Sequence, residues 1–312
     1  MNILNIKHLV YFKELARTEH MSQAAENLGI SEPSLSYAIK KLEVELGVPL
    51  FEPDGRNIKL THLGGLYLKY ITASINSLNH GNDLIKQLIN PNKGYVKLGF
   101  TYTLGQSLVP ELIKQFSIQE NNREISFELN QSFTAQLLRD LYDEKYDVIL
   151  SSDVTQFGDQ DPHKIFNFTP IVEQEIKLAV PFDHPLAQEA EVRMADIGDQ
   201  PLIMYSKNSG LRPLINQILE HADIQPNIKF EMVDDHSIVG FVRQGLGIAL
   251  VPNLPQLNQE FVKLKPIVDN PVNHELFLVT KQSQFITPSV SRFQEFVKSY
   301  CWQHYTNKDR LI

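Results

Sequence analysis

Two groups of side chains in this 312-residue sequence have the types and spacings that do chemistry. The first runs from Ser31 to Lys40, about three helical turns, and carries Ser31, Glu32, Pro33, Ser34, Ser36, Tyr37 and Lys40. Hydroxyls there suit base edges and phosphates in a DNA groove, and lysines suit the phosphate backbone. Ser22 and Gln23 upstream, and Arg56 and Lys59 downstream, have the same reach. The second group follows predicted strand ends: Thr101-Tyr102-Thr103, Gln131-Ser132-Phe133-Thr134 and Tyr205-Ser206-Lys207-Asn208-Ser209. Hydroxyls beside helix starts suit a small anion, because exposed N–H groups and the positive dipole end both favour it. For Thr134 and Ser209 a helix cap is the expected role. Catalytic and metal motifs are missing: no GxSxG, HExxH, Walker loop or paired CxxC occurs, and the ten histidines lack metal spacing. Gly245-Leu246-Gly247 lacks a third glycine and precedes a strand, so it reads as a turn. No catalytic residue, metal or cofactor is expected. His236, at a helix start, is retained as a candidate ligand contact beside its structural reading.

The elements that position the first group are legible. Residues 4–17 form a helix by periodicity, and Ser22 is expected to cap a short helix from Gln23 to Leu28. Gly29 permits a left-handed turn, Ser31 caps the next helix, and Pro33 fits its first turn. Leu35, Ile39, Leu42 and Leu46 then make one apolar stripe, leaving Ser36, Tyr37 and Lys40 opposite. Residues 49–60 read as a hairpin around Pro53-Asp54-Gly55, with Leu50, Phe51, Ile58 and Leu60 inward and Arg56 and Lys59 outward. Thr61 caps a long helix to Asn90, stopped by Pro91. Tyr67, Ile71, Ser74, Leu78, Gly81, Ile85 and Leu88 recur at alternating spacings of four and three, which predicts a coiled-coil seam and dimerisation.

From Tyr95 the chain alternates strands and helices. Strands are expected at 96–100, 125–129, 148–151, 176–180, 202–205, 228–233, 247–251 and 276–280, and helices at 106–119, 134–143, 210–222 and 235–244. The pattern is an α/β domain of two lobes, with crossings at Asp161-Pro162 and Lys265-Pro266.

The run from Ser22 to Ser36, followed by Leu42-Glu43-Val44-Glu45-Leu46-Gly47-Val48-Pro49-Leu50-Phe51 and Leu60-Thr61, resembles the signature of LysR-type transcriptional regulators. The match extends from about residue 4 to residue 66. It departs from the family at Pro53 and Asp54, where an arginine usually follows the Leu-Phe-Glu of the wing, and at Glu32, which bears on base preference. The resemblance implies an N-terminal all-α winged helix-turn-helix over 1–60 and a linker helix over 61–90. It also implies a two-lobed effector domain over 91–312, similar to periplasmic binding proteins. Lobe 1 is expected at about 91–161 and 267–312, and lobe 2 at about 162–266. It carries Thr101, Thr103, Ser132, Ser151 and Ser206 to an effector cleft, and implies double-stranded DNA, a homodimer or homotetramer, and a small effector such as an organic acid or amino acid as partners.

Composition bounds this reading. The net charge is −8, yet residues 1–90 hold nine basic and nine acidic side chains, so the acidic excess lies beyond them. No apolar run reaches the ~20 residues of a membrane span, and the first residues do not form a signal peptide. A single cysteine, Cys301, fits a reducing cytoplasm. The competing class is a solute-binding or small-molecule enzyme domain carrying a helical dimerisation module.

Overall fold

In the computed structural model, residues 5–305 are described apart from Arg56, 90–92, 255–256 and 258–261. Arg56, an expected phosphate contact, therefore lies outside the described residues. The chain forms two compact units, divided between Asp83 and Leu84.

The first unit begins with α1 (Ile6–Thr18), capped by Asn5, whose Oδ1 accepts from the Lys7 N–H at 2.9 Å. Helix α2 (Met21–Leu28) starts two residues earlier than its serine suggests. His20 Nδ1 accepts from the Gln23 N–H at 3.4 Å, so His20 is the cap and Ser22 lies exposed in the first turn. A neutral imidazole nitrogen is an acceptor and does the work of a serine oxygen. Gly29, at φ 66°, turns the chain into α3 (Glu32–Leu46), which Ser31 caps. Leu35, Ile39 and Leu42 of α3 join Phe12, Leu15, Ala24 and Ala25 in one core, the alanines keeping the side chains there short. Strands β1 (Phe51–Asp54) and β2 (Asn57–Leu60) pair antiparallel. Glu43 of α3 anchors this hairpin by accepting from the Leu50 and Phe51 N–H groups at 2.7 and 3.2 Å.

Thr61 Oγ1 then accepts from the Gly64 N–H at 2.9 Å and starts α4 (His62–Ile89). Tyr67, Leu68, Ile71 and Ile75 pack into the first core. The expected seam is corrected here: its first two positions, Tyr67 and Ile71, belong to their own unit. Ser74, Leu78, Gly81, Ile85 and Leu88 remain exposed, with Leu78 at 51% and Leu88 at 60%.

The second unit contains β3 (Lys93–Phe100), α5 (Leu108–Ser117), β4 (Glu124–Gln131), α6 (Thr134–Tyr142), β5 (Val148–Ser152), β6 (Phe166–Gln174) and β7 (Ile176–Pro181). It continues with β8 (Pro201–Tyr205), α7 (Leu211–His221), β9 (Asn227–Met232), α8 (Asp235–Arg243), β10 (Ala249–Pro252), β11 (Val262–Pro266), β12 (His274–Lys281) and α9 (Pro288–Tyr305). One sheet has the order β4-β3-β5-β12-β6. The other is made of β10-β7-β11 and β8-β9, joined by a bridge between Leu202 and Ile248. Strand β5 is buried throughout, and its Val148-Ile149-Leu150 run reads as continuous apolar sequence for that reason.

The chain leaves the first sheet at Glu175, between β6 and β7, and not at Asp161-Pro162. Asp161-Pro162 instead opens a one-turn helix whose N–H at His163 is capped by Asp161. The return follows β11, which ends at Pro266, close to the expected Lys265-Pro266. Among the described residues no helix is long and apolar enough to cross a membrane.

Candidate functional site

Helix α3 buries Leu35 and turns its polar side to solvent. Ser34, Ser36 and Lys40 are exposed, and Tyr37 is 68% exposed. Glu32, Pro33 and Ser36 share an open groove with Met21 at the start of α2, and Ser22 and Gln23 are exposed nearby in sequence. Some of these groups are partly committed. Ser31 Oγ lies 2.8 Å from Ser34 Oγ while capping α3, and Gln23 Nε2 donates to Asn27 Oδ1 at 3.1 Å. Lys59 is exposed on the hairpin, but its Nζ lies 3.5 Å from its cross-strand partner Glu52. That carboxylate competes with a phosphate for the lysine.

In the second unit a cleft is lined by Thr101, Tyr102, Thr103, Ser132, Phe133, Thr134 and Ser152 from the first lobe, with His274 beside them. Tyr205, Ser209, Gly210, Leu211, Val233 and Asp234 face them from the second lobe. The enclosed part is about 30 Å³, within about 420 Å³ that opens to solvent. No lysine or arginine is among these residues. Loops at strand ends bring them together, as expected of ligand sites in open α/β sheets.

Of the expected cleft residues, Thr101, Thr103 and Ser132 are on the wall. Ser151 is not: it is fully buried and donates to the Ser152 carbonyl at 3.1 Å, so its neighbour on the other face of β5 takes the place. Ser206 is also off the wall, its N–H extending the strand pairing to the Met232 carbonyl at 2.7 Å. His236 is the second residue of α8, where its Nδ1 accepts from Gln106 Nε2 at 3.1 Å. It ties the second lobe to the first rather than facing the cleft.

Thr134 reverses its expected part. Phe133 occupies the cap position of α6, with no side-chain cap, and Thr134 Oγ1 is buried without a hydrogen-bond partner. A Cβ at Gly210 would stand 2.5 Å from that oxygen, so only glycine lets the two lobes approach this closely. Ser209 does act near its helix start, accepting from the Leu211 N–H at 3.3 Å.

Two buried networks reinforce the wall. Asp235 is 1% exposed and accepts from Thr103 Oγ1 at 2.5 Å and from the Tyr205 hydroxyl. Burial pushes its carboxyl up, while these two hydroxyls pull it back. The Tyr205 hydroxyl is pushed well above its ordinary value by burial and by Asp235. On the other side, His274 Nε2 lies 2.8 Å from Ser152 Oγ, and its Nδ1 lies 2.9 Å from Gln174 Oε1. A serine on a histidine invites a nucleophilic reading. Burial lowers His274 to about 4, however, so it is a feeble base near neutrality, and an amide rather than a carboxylate orients it.

Sequence reading missed Ser152, Asp234, Asp235 and His274, whereas Tyr205 belongs to a hydroxyl loop expected at the cleft. The Asp234-Asp235 pair after a predicted strand was a visible signal of a capped helix at a strand end. His274 gave none, since only the pairing of β12 with β5 and β6 brings it there.

The residues match known proteins along most of the chain. Residues 90–302 match the model of the LysR substrate binding domain, and residues 6–65 that of the bacterial regulatory helix-turn-helix protein, lysR family. The uncharacterized HTH-type transcriptional regulator YybE of Bacillus subtilis (strain 168) is 33% identical over 94% of this chain and 98% of its own. Transcriptional dual regulator GltC of the same organism is 29% identical over 94% and 96%. Among solved structures, the effector binding domain of QuiR in complex with shikimate has a TM-score of 0.64 and 31% identity, covering 68% of this chain and 99% of that one. Full-length CbnR complexed with its target DNA has a TM-score of 0.70, covering 95% and 99%, and at 19% identity it speaks for the fold alone.

Proposed function

Because the chain belongs to the LysR family of bacterial regulatory helix-turn-helix proteins, we propose that its two units act as the operator reader and the effector sensor of a cytoplasmic transcriptional regulator. The observation that carries the reader is α3: Leu35, Ile39 and Leu42 are buried, while Ser34, Ser36, Tyr37 and Lys40 are left in water. A helix held from behind in this way can present its front to a major groove, and we assign backbone contacts to Ser22, Gln23 and Lys59. The exposed stripe from Ser74 to Leu88 supports pairing of two chains through α4, which matches a two-fold reader to a palindromic operator.

The sensor reading rests on the hydroxyl-lined cleft between lobes, and the likeness to QuiR supports a small organic acid as ligand. Such a ligand changes promoter contacts only as far as its affinities for two lobe arrangements differ. Band shifts on the DNA upstream of the gene test the reader. Lys40→Ala is expected to weaken binding to every sequence and reduce the salt slope by about 0.9, as loss of one phosphate contact does. Ser36→Ala is expected to weaken operator binding while leaving random DNA alone. Wild-type operator affinity in both folded variants would place the reading surface elsewhere.

A further inference from the structure

The direction of each hydrogen bond on the cleft wall determines what a ligand must offer. Thr103 Oγ1 and the Tyr205 hydroxyl both donate their single proton to Asp235. Ser152 is committed in the same way. Gln174 Oε1 is an acceptor, so His274 Nδ1 carries the ring proton, Nε2 accepts, and the Ser152 hydroxyl is the donor. All three residues line the cleft, so what their oxygens can offer a ligand there is lone pairs only. Asp234 adds a carboxylate on the same wall, held by the Ser237 N–H and hydroxyl at 3.0 and 2.7 Å.

Thr134 makes the opposite demand. The residue is 1% exposed, its hydroxyl has no partner, and it lines the cleft at the start of a helix that no side chain caps. A buried unmet hydroxyl costs stability, and beside uncapped N–H groups it is met by an anion.

We propose that the ligand is a monocarboxylate whose remaining polar groups are hydrogen-bond donors. Its carboxylate takes the Thr134 hydroxyl proton and the Thr134 and Ala135 N–H groups at the start of α6, those of Gln136 and Leu137 being bonded to the Phe133 carbonyl. Its hydroxyl or ammonium groups donate to Thr103, Tyr205, Ser152 and Asp234. A dicarboxylate is disfavoured, since its second charge meets lone pairs and the Asp234 carboxylate, with no lysine or arginine among the described residues that line the cleft. Asp235 is the positioning residue: without touching the ligand, it turns two hydroxyl protons away from the cleft.

The inference rests on the cleft being the effector site, and calorimetry on the full chain separates the two. The probes are shikimate, its ring stripped of hydroxyls (cyclohexene-1-carboxylate), and adipate. Shikimate is expected to bind at least about tenfold more tightly than either, the effect of one well-made hydrogen bond to a charged or buried group. In Asp235→Asn the side-chain amide donates where the carboxylate accepted, so one of the two hydroxyls turns its proton to the cleft, and the preference for shikimate over adipate should shrink about tenfold. Thr134→Val, which keeps shape, should weaken all three acids and leave their ratios unchanged. If none of the three binds, the cleft reading fails and the inference falls with it. If all bind equally, or adipate binds best, the cleft reading stands and the inference is overturned. An unchanged ratio in folded Asp235→Asn removes Asp235 from its part.

Discussion

A threonine that gains nothing from its hydroxyl is an unusual core residue, and Thr134 separates stability from function for that reason. Valine there keeps the methyl packing and removes an unmet polar atom. Thr134→Val is expected to stabilise the ligand-free protein by about 1 kcal/mol, read as a higher midpoint in urea, while promoter response to ligand is lost. A lower midpoint would mean the hydroxyl has a structural partner. His274 gives a second expectation. An unfolded histidine takes its proton near 6.5, but this buried one only near about 4. Between those values the unfolded chain binds a proton that the folded chain refuses, so stability present above pH 6.5 drains away as the pH falls toward 4, by about 3 kcal/mol at most. Asp235, with its carboxyl raised, contributes in the opposite sense. The comparison is therefore wild type against His274→Gln across pH 7.5 to 4.5, and the variant should lose less stability on acidification. Parallel curves would sink the assignment.

Among the elements, those announced by local signals are legible in the sequence. Ser31, Gly29 and the stripe from Leu35 to Leu42 placed α3, and Thr61 placed the start of α4. What escaped depends on distant partners. Strand β6 was missed because Phe166–Gln174 mixes polar and apolar residues on a strand that only β12 covers on its hydrogen-bonding side. The helix Pro288–Tyr305 was missed too, although Phe293 packs against Phe116 and Phe127 there. The cap shifted from Ser22 to His20 because a ring nitrogen competes with a hydroxyl, which no propensity ranking of small polar residues foresees. The hairpin yields its own prediction. Glu52 neutralises Lys59 across β1 and β2, so Glu52→Gln should tighten binding to random DNA and steepen its salt dependence. If salt titration shows the same slope, the hairpin does not touch phosphate.

For the whole molecule, the 4-3 repeat of α4 hid a division of labour. Periodicity alone does not say against what a stripe packs, and here Tyr67 and Ile71 pack within the reader while Leu78, Ile85 and Leu88 do not. Leu78→Glu is expected to give folded monomers that bind operator poorly, because like charges would meet across a two-fold contact. Ile71→Glu should instead unfold the reader, as a charge buried in its core. Sedimentation and circular dichroism distinguish the two, and an intact dimer in Leu78→Glu would move the interface elsewhere. Within the sensor, Gln174 and His274 are paired neighbours, so both crossings between lobes leave the first sheet side by side. Sequence marked the return at Pro266 but not the departure at Glu175, since a proline turn inside a lobe reads the same as one between lobes.

Glu52 has a consequence for time as well as affinity. A protein looking for one operator samples a genome of competing sites, and its dwell on each is governed by the phosphates it neutralises. The first ninety residues carry as many acids as bases, and the hairpin lysine arrives already engaged. Visits to random DNA are expected to be correspondingly brief. A reader that lets go quickly spends more of its life in free solution, where the concentration of a small acid is there to be measured before the next landing.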